Sequence, residues 1–165
     1  MKALSIITLA CSLLISSIAF SQSEINKILT EISTSTSAEN LEKDIKKLID
    51  FGTRHTLSDT ISTTRGIGAA RRWIKSEFEN ISKNCDNCLE VSFLGDIVIA
   101  DGRRIIKDTE VVNVVAIQRG TKYPNRYVIM SGDIDSRVSD SNNFTSDSPG
   151  ANDNATGMAG ALEAA

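Results

Sequence analysis

The hydrophobic period of this chain changes once, at Leu89, and that change limits what it can fold into. Before it, "EINKILTEI", "SAENLEKDIKKLIDF" and "TTRGIGAARRWIKSEFENI" place apolar residues three and four apart, the spacing of helices with one buried face. Ile67, Ala70, Ile74 and Phe78 form the stripe of the longest one. Ser37 with Asn40 marks the start of the second helix, and Gly52 marks its stop. After Leu89, "LEVSFLGDIVIA" and "EVVNVVAIQRG" are rich in Val, Ile and Phe and predict two strands around a "DGRR" turn. "YPN" is a second turn. "RYVIMSG" predicts a third strand, apolar on both faces and therefore interior. "NDNATGMAGALEAA" then opens a helix with Ala and Gly on its inner faces. Helices, then strands, then a helix entered from a strand end predict an α/β domain. No cap and no closing strands follow that helix before Ala165, so residues 22–165 read as the N-terminal part of a larger domain.

The first 21 residues differ from the rest. Lys2 supplies a positive start, "ALSIITLACSLLISSIAF" carries no charge, and Ala19 and Ser21 are small. This is the pattern of a signal peptide cut after Ser21, which implies export to a periplasmic or extracellular space. A membrane anchor is the plainer alternative, but Ser and Thr interrupt a run that is barely long enough to span. Cys11 as a lipid-attachment site is disfavoured by the apolar sequence that follows it. A formal charge of −3 and a pI near 5.2 argue against a nucleic-acid or anionic-membrane partner. Oligomeric state is not written in this pattern.

Two cysteines remain after the leader, Cys85 and Cys88 in "NCDNC". Export places them in an oxidising compartment, where a local disulfide is the expected state. A zinc ribbon needs a second pair, and a thioredoxin-like motif needs a strand before it and a helix after it. Here that order is reversed.

The segment 131–157 holds Asp133, Asp135, Asp140, Asp147 and Asp153. A calcium loop of EF-hand type would need its Gly and its closing Glu, which are missing. A solvated acidic loop is the bland reading, and Asp and Gly are ordinary turn residues. Against it, "SPGANDNATG" packs Pro149, Gly150 and Gly157 around Asp153 where a helix begins. An Asp there is a helix cap or a carboxylate held at a rigid junction to bind metal. His55, the only histidine, has no ligand spacing around it and reads as structural or surface. Glu163 reads as a surface residue of the last helix.

"NVVAIQRG", "YVIMSGDIDS" and "PGANDNATGMAGALEAA", with "FGTRHTLS" and "GIGAARRWIKSEF" upstream, resemble the co-catalytic zinc aminopeptidases. That group includes secreted bacterial leucyl aminopeptidases, glutamate carboxypeptidases and glutaminyl cyclases. The resemblance implies a mixed sheet flanked by helices, with two metals at the strand ends and a peptide as substrate. It implies that Asp153 bridges the two ions and that Asp135 steadies the first metal ligand. Asp133 stands where the family has a ligand histidine. An anionic oxygen donor there makes the site harder, so manganese competes better with zinc. Asp135 also loses the N–H that a histidine would donate to it. The family's remaining ligands and its general-base Glu are expected beyond Ala165, so residues 22–165 alone are expected to be inactive. The activity implied is hydrolysis of N-terminal peptide bonds by a metal-activated water. A metal-free peptidase-like binding domain is the competing reading, since fold does not imply function. Glutaminyl cyclisation is a third chemistry on the same fold.

Overall fold

The computed structural model describes residues 24–165; the signal peptide expected over residues 1–21 lies outside the described residues. Residues 24–35 form helix α1, which belongs to a unit separate from Ser37–Ala165. Its Ile25, Ile28, Leu29 and Ile32 repeat at helical spacing and are exposed. No helix among the described residues is long and apolar enough to cross a membrane.

The second unit begins with α2, Ala38–Asp50. Ser37 sits at its N-cap in an extended conformation, and its hydroxyl accepts the Asn40 N–H at 3.1 Å. That bond satisfies one of the donors a helix start leaves open. The helix ends at Phe51, and Gly52 turns the chain with φ +70. Helix α3, Gly66–Lys83, follows the loop 53–65. Its predicted stripe is the core: Ile67, Ala70, Ile74 and Phe78 are all buried. Ala70, Ile74 and Phe78 pack with Leu48 and Phe51 from the α2 end and with Ala155, Met158 and Leu162 further on. Each large side chain in this cluster contributes about 1.5–3 kcal/mol of transfer free energy.

After α3, Cys85 and Cys88 are joined by a disulfide with Cα atoms 5.4 Å apart. Ser82 closes the same corner, its hydroxyl accepting the Leu89 N–H at 3.0 Å. Strands β1, Leu89–Val98, and β2, Thr109–Gln118, then pair antiparallel with Phe93 opposite Val114. Leu89, Val91, Val114 and Ala116 rest on the core. The hairpin loop is ordered by Asp101, whose carboxylate accepts the N–H groups of Arg103, Arg104 and Ile105 at 2.8–3.0 Å. Helix α4, Thr156–Glu163, is entered through a π-helical turn at Ala151–Ala155 and packs against α2. The fold class is therefore α/β, with helices laid on a two-stranded sheet.

Two expectations are corrected. The third strand does not form: Tyr127, Val128, Ile129 and Met130 are 80%, 96%, 85% and 64% exposed, and no ladder bonds join them to β2. An all-apolar strand is stable only between neighbours that cover both faces, and the described residues supply none. The mixed sheet is accordingly reduced here to one antiparallel pair. Glu163 is not a plain surface residue. It is half-buried, and its carboxylate accepts the Ser37 N–H, tying the end of α4 to the start of α2.

Candidate metal centre

The segment carrying Asp133 and Asp135 is held against two other parts of the chain. Gly132 lies on the backbone of Gly157 and Met158, where an added Cβ would come within 2.4 Å of Gly157 carbonyl carbon. Only a glycine lets the 131–135 segment approach the first turn of α4 so closely. Ser136 follows, buried, and exchanges bonds with Arg54: its hydroxyl accepts the Arg54 N–H at 3.0 Å, and its N–H donates to the Arg54 carbonyl at 3.3 Å. The same hydroxyl donates to the Ser148 carbonyl at 2.6 Å.

The loop 137–150 is fastened at several points. The imidazole of His55 is buried, and its Nδ1 accepts the Leu57 N–H at 3.0 Å. That contact puts the ring proton on Nε2, which donates to the Ser141 carbonyl at 3.0 Å. His55 thus latches the loop and is engaged on both nitrogens, in keeping with a structural role. Arg65 donates to the Thr145 carbonyl at 2.8 Å and pairs with Asp147 at 2.6 Å. Asp140 accepts the Asn142 N–H at 3.0 Å in a local turn.

The loop ends at Pro149 and Gly150. Gly150 has φ +50, a left-handed conformation that favours glycine, and a Cβ there would meet Ser136 Cβ at 2.5 Å. The Ala155 N–H closes the π-helical turn on the Gly150 carbonyl at 3.0 Å. Asp153 and Asn154 leave helical geometry inside this turn, and the peptide bond between them is cis. Capping falls to Asn154 rather than Asp153: the Asn154 side-chain oxygen accepts the Gly157 N–H at 2.8 Å.

The five acids therefore divide. Asp140 and Asp147 are engaged in a turn and an ion pair. Asp133, Asp135 and Asp153 are exposed, and among the described residues their carboxylates make no hydrogen bond or ion pair. Open carboxylate oxygens of this kind suit a divalent cation. Asp133 and Asp153 each offer such oxygens; among the described residues no three His, Cys, Asp or Glu side chains gather into a set that could hold a metal ion.

Arg54 is the residue that periodicity and motif spacing did not single out. It is 1% exposed, and burial pulls its pKa below the usual arginine value while the negative charge of Asp135 opposes that pull. Its guanidinium donates to four carbonyls: Leu48 and Pro149 at 2.8 Å, Ile134 at 2.9 Å and Gly150 at 3.0 Å. The only signal for it was its place inside "FGTRHTLS", one of the stretches that carried the family resemblance.

Residues 113–165 match the family model described as Peptidase family M28. A "Probable zinc metalloprotease" of Pyrenophora teres f. teres is 46% identical over 129 residues, covering 78% of this chain and 26% of that protein. A second, from Leptosphaeria maculans, is 44% identical over 144 residues, covering 87% of this chain and 32% of the relative. A third, from Pyricularia oryzae, is 46% identical over 121 residues, with 73% and 24% covered. The chain thus spans about a third or less of the length of these curated relatives. No solved structure matches it. The matched segment contains the open carboxylates and the glycine-framed turn, and these findings support for this chain the co-catalytic zinc peptidase family to which the model of peptidase family M28 belongs.

Proposed function

We propose that this protein is an exported metal-dependent exopeptidase of aminopeptidase type, acting on the free amino end of peptides. The observation that carries this reading is the division of the acids: the three with implied roles at a metal are the three left open. In it, Asp153 would hold both of two ions, zinc with manganese as the competitor, and Asp133 would hold one of them in place of a histidine. Asp135, two residues on from Asp133, is the acid whose negative charge acts on the buried Arg54 guanidinium. When bound, the ions would supply an activated water and polarise the scissile carbonyl. The chain's own part is to present these oxygens on a backbone fixed by Gly132, Gly150 and Ser136. Export rests on the charge, apolar and small-residue pattern of residues 1–21.

The test uses full-length protein recovered from the exported fraction, with Gln22 expected as its first residue. Metal content is expected at two ions per chain, with hydrolysis of aminoacyl amides. Asp153→Ala should lose both metal and activity, and Asp133→Ala should lose one ion. Asp133→His should keep both, because the imidazole restores an N–H for Asp135 to accept and softens the site towards zinc. Equal metal content in the wild type and all three variants, or none in any, would sink this reading.

A further inference from the structure

Both carboxylate-bearing segments are fastened to one side chain. Ile134, whose carbonyl accepts from Arg54 Nε at 2.9 Å, sits between Asp133 and Asp135. Pro149 and Gly150, whose carbonyls accept from Arg54 Nη1 and Nη2 at 2.8 and 3.0 Å, lead directly into the turn that carries Asp153. Nη1 also reaches the Leu48 carbonyl, anchoring the guanidinium to α2 in the core. Four of the five N–H donors of arginine are thereby engaged in one plane. Among the described residues no ladder joins these two segments; the Arg54 guanidinium binds both through their carbonyls, and the Ser136 hydroxyl on Ser148 is a second tie beside it.

We propose that Arg54 is a positioning residue for the metal centre: its planar guanidinium sets the separation and orientation of the Asp133 and Asp153 carboxylates before metal arrives. The inference rests on the proposed metal-binding reading and names a residue that acts through the backbone, touching neither ion nor substrate. Two physical points support it. A buried cation is retained only where it is fully hydrogen-bonded, and these four acceptors come from three separate places in the chain. A fork of fixed geometry also transmits distance between its acceptors, which the flexible, tetrahedral ammonium of lysine does not. A charge needed only for packing could be met by either side chain.

Titration of metal-free, full-length protein with Zn²⁺ and with Mn²⁺ separates these roles, using Arg54→Lys, Arg54→Ala and the core variant Ile74→Ala, with thermal unfolding of each apo form. Groups that orient metal ligands through hydrogen bonds typically govern affinity by about 10–100-fold. Arg54→Lys is expected to melt cooperatively yet bind both ions at least about tenfold more weakly. Ile74→Ala, destabilised but with the clamp intact, is expected to bind them as the wild type does. Unchanged affinity in folded Arg54→Lys overturns the proposal. So does equal weakening in Ile74→Ala, which would make the effect one of general stability. If neither Arg54 variant folds, the residue belongs to the core alone and the proposal fails. A wild type that binds neither ion overturns the metal-binding reading itself, and this inference with it.

Discussion

Helix α3 and the segment 131–157 are held in place by different physics. The helix presents a continuous apolar face, and its buried Ile67, Ala70, Ile74 and Phe78 meet neighbours that need only be apolar and of about the right volume. The segment has little regular structure before its final helix. It is fixed by single polar bonds: Ser136 to Arg54 and Ser148, His55 to Ser141, Arg65 to Asp147, and Arg54 to three of its carbonyls. Non-directional burial makes a scaffold that tolerates substitution. Directional bonds make a site whose groups are placed atom by atom, at the cost that losing one of the buried bonds, such as those of Ser136, strands its partner.

The largest expected effect breaks the first region. Ile74 is fully buried at the centre of the cluster, so Ile74→Ala should lower the free energy of unfolding by about 2–5 kcal/mol, the lost transfer energy plus that of the cavity. Chemical denaturation of the full-length protein measures it. A loss well under about 1 kcal/mol would mean that α3 is not packed as described.

A smaller change probes the second region. Ser136→Ala removes one oxygen and alters the volume little, but it leaves the buried Arg54 N–H and the Ser148 carbonyl without that partner. An orphaned buried group costs about 1–3 kcal/mol, so the loss per atom removed should exceed that for Ile74. The same denaturation experiment decides it. Indifference to this substitution would show that the segment is held by burial after all, and the contrast would collapse.

This contrast also explains what the sequence could disclose. The α3 stripe and the Ser37 cap are local patterns, readable over a few residues. The capping role of Asn154 is local too, but Asp153 competes for it at the adjacent position, and only the backbone decides. "RYVIMSG" has the composition of an inner strand, yet a strand is a property of its neighbours, and Tyr127–Met130 find none among the described residues. Arg54 bonds to partners 6, 80, 95 and 96 residues away; no window of sequence contains that set. Asp133, Asp135 and Asp153 stood out as acids at a strand end and a glycine-framed helix start, but their separate roles came only from likeness to a family. Composition alone could not separate them from Asp140 and Asp147, whose difference lies only in what each carboxylate touches.

The smallest expected effect tests whether a directional contact matters where nothing is buried. Asp101, in the loop joining β1 to β2, accepts three backbone N–H groups, from Arg103, Arg104 and Ile105. Those bonds, first Arg103 and then Ile105, hold its pKa below the usual carboxylate value. A carboxyl whose pKa is lower folded than unfolded adds stability above its unfolded pKa, near 3.9, and loses it as pH falls through the folded value. Wild type should therefore exceed Asp101→Asn in stability at neutral pH. The gap should narrow as the pH drops below about 4, because the protonated acid then resembles the amide. The site is open to solvent, which screens the charge, so the gap should also be smaller than that for Ser136→Ala. Melting curves of both proteins across that pH range measure it. A gap that does not change with pH would show that the loop is ordered by its backbone turn alone and draws nothing from the carboxylate charge.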